Sequence, residues 1–171
     1  MRKKALCIPT ARLRLAGIRE EDAETLMDLL THPEVGKTYM VPEFSCREEA
    51  RKLSDTFRRL SRDPDRFVYG IFREEKLVGF LNEVEKGNGE IELGMVIDPA
   101  CKNRGYGTET LGAVMEELLR MGYRVVKTGA FAENAPSIRV MEKCGMTRLP
   151  QTEEVEYRGQ RHCCVWFEKR K

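Results

Sequence analysis

With 171 residues, 41% apolar and 34% charged, the chain is long enough to bury one proper core and too short for two. Its 30 Lys and Arg against 28 acids leave a net charge of +2, which argues against nucleic acid as the main partner. No stretch approaches a membrane span, and Ala5 to Ile8 is too short an apolar run for a signal peptide, so a cytosolic protein is expected.

Residues 1–9 read as an N-terminal extension and 10–171 as a single domain. Thr10 to Ile18 reads as the first strand, Leu13 and Leu15 alternating with Arg12 and Arg14. Glu20, Glu21 and Asp22 place negative charge in the first turn of a helix bearing Ala23, Leu26, Met27 and Leu30, and His32-Pro33 ends it. Pro33 to Phe44 reads as a loop that either lines a pocket or is a connector pinned by Tyr39 and Phe44. Ser45-Cys46-Arg47-Glu48 has the form of a capping box before a helix with Ala50, Leu53, Phe57 and Leu60 on one face and five basic residues on the other, solvated, face.

Phe67 to Phe72, Leu77 to Val84 and Ile91 to Ile97 read as an antiparallel meander; Gly94 interrupts the third run as an expected bulge, and Asp98-Pro99 stops it. The polar turn Lys102-Asn103-Arg104-Gly105-Tyr106-Gly107 then opens a helix with Leu111, Val114, Met115 and Leu118 in one stripe. A glycine-bearing turn at a helix start leaves backbone N–H groups pointing outward at the positive end of the dipole, a ready anion site. Lys102 and Arg104 add charge there, while Gly105 and Gly107 let a phosphate approach the main chain. No G-K-[ST] ending follows, and Thr110 stands where a dinucleotide fingerprint has its third glycine. A backbone-held pyrophosphate without a metal fits what is left.

Val125 to Phe131 reads as a strand parallel to Ile91 to Ile97, joined by a right-handed crossover, so the sheet is mixed. Asn134 is the expected N-cap of a short helix with Pro136 in its first turn and Gly145 as its left-handed cap. Met146 to Leu149 and Cys163 to Phe167 are the last expected strands, separated by an acidic loop, Gln151 to Gln160. The 6 cysteines show no C-x-x-C pair and no zinc spacing; reduced thiols and no metal are expected.

Together, E-L-G-M-V-I-D-P, R-G-Y-G-T-E and E-N-A-P-S-I-R-V-M-E-K-C-G-M, with the opening T-A-R-L-R-L and E-E-D-A, resemble the GCN5-related N-acetyltransferase (GNAT) superfamily. Within it the likeness is to the ribosomal-protein N-terminal acetyltransferase branch, from about Thr10 onward. The resemblance implies an α/β fold: a twisted mixed sheet of about six to seven strands, flanked by about four helices, with parallel strands splayed at the cofactor site. It implies acetyl-coenzyme A as donor, its pyrophosphate on Lys102, Asn103, Arg104, Gly105, Tyr106, Gly107 and Thr108, and its pantetheine arm along Met95, Val96 and Ile97 and near Asn134.

It further implies an acceptor that is a primary amine, of a protein N-terminus or a small molecule, lined by the loops Thr31 to Phe44 and Leu149 to Gln160. Glu92 matches a general-base position, with Glu90 on the same sheet face as the rival, and a backbone N–H near Met95 is placed for the oxyanion. The tyrosine that many members use as an acid is Met141 here, and in this branch the role passes to Ser137. Cys101 as an acyl carrier is a lesser route, and a non-catalytic acyl-coenzyme A sensor or scaffold is the alternative from another class. A monomer or homodimer is expected.

Overall fold

Strand β3 (Val68–Arg73) is apolar on both faces and β4 (Lys76–Gly87) nearly so over its first half, as strands covered on two sides must be. They pair antiparallel with each other, and β4 with β5 (Glu90–Ile97), in the meander the alternation predicted. The computed structural model, which describes residues 3–171, arranges eight strands in one mixed sheet of order β1-β2-β3-β4-β5-β6-β8-β7. The remaining strands are β1 (Cys7–Pro9), β2 (Arg14–Ala16), β6 (Val125–Phe131), β7 (Thr147–Tyr157) and β8 (Gln160–Arg170).

Helices α1 (Ala23–Thr31) and α3 (Arg47–Arg62) cover one face, where Ile18, Leu26, Leu30, Phe72, Phe80 and Val96 form a buried cluster. On the other face α4 (Tyr106–Met121) and α5 (Ala135–Lys143) enclose the larger core, which includes Leu15, Tyr69, Leu93, Val114, Leu118 and Phe167. The crossover from β5 through α4 to β6 is parallel, as read.

The α/β fold class stands, with eight strands and five helices among the described residues where about six to seven and four were expected. One added strand lies inside the stretch read as an extension: Cys7–Pro9 pairs with β2 through a turn closed by the Thr10 N–H to the Leu13 carbonyl, 2.9 Å. Pro9 is tolerated because β1 is an edge. Lys4 docks beside it, its ammonium donating to the carbonyls of Ser61, Arg66 and Val68 at 2.8–3.0 Å. The added helix is α2 (Pro33–Gly36), within the predicted loop; the His32 ring nitrogen caps it, accepting from Glu34 N–H at 3.1 Å.

Three local readings are corrected. Cys46, not Ser45, is the N-cap of α3, so the reaching-back acid is Glu49, which accepts the Ser45 N–H at 2.7 Å. The bulge lies in β4 between Glu83 and Glu85, leaving Val84 unpaired, while Gly94 pairs regularly with Asn82. The acidic loop is a hairpin: β7 runs to Tyr157 and β8 starts at Gln160, with Arg158 (φ 51°) and Gly159 (φ 70°) forming the tight turn. The polar residues there are the solvated strand positions of a hairpin beyond the core. Among the described residues no helix is long and apolar enough to cross a membrane.

Candidate active site

Strands β5 and β6 pair only from Glu90 opposite Val125 to Leu93 opposite Thr128, and then part. The Thr128 hydroxyl donates to the Leu93 carbonyl at 3.0 Å, closing the ladder where the strands diverge. Beyond it β6 continues against β8 alone, and Gly94 to Ile97 continue against β4 alone. One backbone edge of Met95, Val96 and Ile97 therefore faces a gap, the geometry that accepts an added extended segment. The ladder breaks at Gly94 without a bulge there.

At the mouth of the gap stands the N-terminus of α4. Asn103 (φ 61°) and Gly105 (φ 78°) turn the chain, and the first helical bond runs from the Glu109 N–H to the Gly105 carbonyl. The N–H groups of Tyr106, Gly107 and Thr108 thus have no intrahelical acceptor. The Tyr106 ring is buried beneath the Arg12 guanidinium, so only its main chain can meet a ligand. Lys102, Asn103 and Arg104 are exposed. A methyl group at Gly107 would lie 3.3 Å from Val140 and 3.6 Å from Met95, so turn, strand and α5 converge there.

A brace that sequence reading missed holds this turn from behind. Arg12 donates to the Arg104 carbonyl at 2.8 Å and to the Glu109 carboxylate at 2.7 Å; Thr10 and the Arg12 N–H also donate to Glu109. Burial pushes the Glu109 carboxyl up, but these bonds outweigh it and hold it below the usual range. The acid in the first turn of α4 is thereby neutralised, and the positive end of the helix stays available to an anion.

The two candidate bases are told apart by their neighbours. Glu90 is paired with Lys127, whose hydrogen bond and charge hold its carboxyl low. Glu92 is half-buried, and burial, reinforced by Glu85 and Glu153, raises its carboxyl against the opposing hydrogen bond from Trp166, 3.5 Å away, and the charge of Lys127. Asn134 caps α5, its side-chain oxygen accepting the Ser137 N–H at 3.3 Å, which leaves its amide NH2 for another partner. The Ser137 hydroxyl has no hydrogen-bond partner among the described residues, and Met141 is buried in the core.

The loop after α2 is an anchored connector. The Tyr39 ring lies over Gly94, 3.0 Å from where a side chain would begin, and its hydroxyl donates to Asn82 at 2.6 Å. From the β7–β8 hairpin, the Tyr157 hydroxyl donates to the Gly36 carbonyl at 2.8 Å and accepts the Val41 N–H at 3.4 Å. Asn82, Tyr157 and Trp166 escaped the sequence reading; alternation through residues 151–160 was the one signal that would have placed Tyr157 on a strand.

A model of the acetyltransferase (GNAT) domain matches residues 12–147. The chain is 28% identical over 144 residues to YnaD, an uncharacterized N-acetyltransferase of Bacillus subtilis (strain 168), covering 82% of both chains. Among solved structures, RimL, a ribosomal L7/L12 alpha-N-protein acetyltransferase in complex with coenzyme A, has a TM-score of 0.83 at 22% identity, covering 96% of this chain and 97% of that one. The acetyl transferase of Salmonella typhimurium that modifies the N-terminal serine of L7/L12 has a TM-score of 0.80 at 20% identity, covering 96% and 99%. These structures share the fold; the domain match spans the braced turn, the parted strands and the whole of the last helix. The chain belongs to the GNAT acetyltransferase family.

Proposed function

We propose that this protein transfers an acetyl group from acetyl-coenzyme A directly to a primary amine, with a protein N-terminus as the leading acceptor class. The carrying observation is the parting of β5 and β6 at Gly94, beside the unpaired N–H groups of α4 and on the strand that bears Glu92. The site fits such a donor: the N–H groups of Tyr106, Gly107 and Thr108, without intrahelical acceptors, suit a phosphate, and the open edge of Met95, Val96 and Ile97 suits an amide-bearing arm. Bound acetyl-coenzyme A supplies the activated acyl thioester. Branch membership with the ribosomal-protein acetyltransferases is supported by RimL and its Salmonella counterpart as structural neighbours.

In this reading the main chain of Gly105 to Thr108, with Lys102, Asn103 and Arg104, grips the pyrophosphate, and the Asn134 amide meets the pantetheine region. Glu92 takes the proton from the incoming ammonium, directly or through water; its raised carboxyl makes it a better base near neutral pH than Glu90. A backbone N–H near Met95 steadies the developing oxyanion. The Ser137 hydroxyl, unengaged among the described residues, gives its proton to the leaving thiolate.

The test is thiol release over a panel of peptides and small amines. E92Q is expected to lower kcat by about 100-fold or more while acetyl-coenzyme A binding changes by less than about threefold. Undiminished turnover in E92Q would remove Glu92 from the mechanism. The buried Met141, which supplies no acid, favours a second reading as an acyl-coenzyme A sensor; binding without release on any amine would establish that one instead.

A further inference from the structure

Trp166 lies directly opposite Gly129 in the β6–β8 ladder, and its side chain crosses β6 at that residue. A methyl group on Gly129 would sit 2.9 Å from the indole nitrogen and 3.2 Å from the adjacent ring carbon, so the ring rests on bare backbone. Gly129 is also the first residue of β6 beyond its last pair with β5, which lets the indole span from β8 across β6 to β5. There its ring N–H donates to the Glu92 carboxylate at 3.5 Å.

Resting on the base reading of Glu92, we propose that Trp166 is a positioning residue: seated on Gly129, its indole N–H holds the Glu92 carboxylate in place without adding charge. Every element around the carboxylate is accounted for. Glu85 stands opposite it on β4, Glu153 approaches from β7, and Lys127 on β6 is committed to Glu90. A cationic partner would hold the carboxylate ionised and weaken it as a base, whereas a neutral donor orients one oxygen and lowers its proton affinity only in part, the carboxyl staying raised. Gly129 has a reason to be glycine that its backbone angles do not supply.

The chain contains 1 tryptophan, so its fluorescence reports this contact without any substrate. Wild-type emission is expected to titrate with a midpoint above the ordinary glutamate range, and E92Q to lose that step. G129A retains the tryptophan but displaces the indole, and is expected to lose the step as well. In W166F, kcat/KM at the acid edge of the pH profile should fall about threefold to tenfold, the loss narrowing towards higher pH. An emission step that E92Q leaves untouched, or a W166F profile superimposable on wild type, would overturn the proposal. Loss of the step in E92Q with undiminished turnover would overturn the base reading and this proposal with it, while leaving the contact in place.

Discussion

Glu90 and Glu92 share a sheet face by alternation and differ in what dominates their proton affinity. Lys127 sits against the first, while the second is half-buried with two acids near it. Because burial raises the Glu92 carboxyl and the proposed base must be ionised, kcat/KM is expected to fall as pH drops through a value above the ordinary glutamate range. A pH profile whose acid limb is unchanged in E92Q would refute this. A different residue-scale effect concerns Thr110, fully buried in α4, whose hydroxyl has no partner among the described residues. Thr110→Val removes that polar atom at constant shape and is expected to stabilise by about 1 kcal/mol, a rise in Tm of roughly 2–4 °C. Calorimetry showing a loss would mean that the hydroxyl is satisfied in solution.

At the scale of elements, the proposed phosphate cradle is one helix end braced by a residue far away in sequence. Arg12 ties the Arg104 carbonyl to the Glu109 carboxylate, so it shapes the turn and cancels the acid nearest to it. Arg12→Ala should loosen the turn and leave the Glu109 charge facing the phosphates, weakening acetyl-coenzyme A binding about tenfold. Calorimetric titration returning the wild-type Kd would show that Lys102 and the backbone suffice. The β7 edge is managed differently: Pro150 and the charges of Glu153, Glu154 and Glu156 discourage a foreign strand from pairing. The same hairpin carries Tyr157, which fastens the loop holding Tyr39 over the strand gap.

For the whole molecule, two carboxylates link the core to pH. Burial raises the Glu83 carboxyl, but the Phe67 N–H, Lys86 and Arg66 outweigh it, and Glu109 is held low in the same manner. A depressed folded-state pKa contributes stability that is complete above the unfolded value, about 4.3, and is lost as pH falls through the folded one. Tm followed from neutral pH downward should hold until about that value and then decline. Glu92 acts in the opposite sense, its raised carboxyl being relieved on acidification before the other two titrate. A Tm that falls steadily from neutrality would place the dominant titration elsewhere.

By itself the amino-acid sequence determined what is local. The strand–turn–helix of β5 and α4, the Asn134 cap, the parallel crossover and the family motifs each depend on residues within a few turns of one another. Only the tertiary structure decided that Arg12 braces Glu109, 97 positions away, that Tyr157 fastens Gly36, 121 away, and that Trp166 meets Glu92, 74 away. It likewise moved the bulge from Gly94 to Val84 and gave Glu90 and Glu92 different company, an ion pair with Lys127 for the first and partial burial for the second. The reason is physical. Periodicity and turn chemistry act through the backbone between neighbours, whereas desolvation, ion pairing and close approach depend on which distant strands the sheet sets side by side.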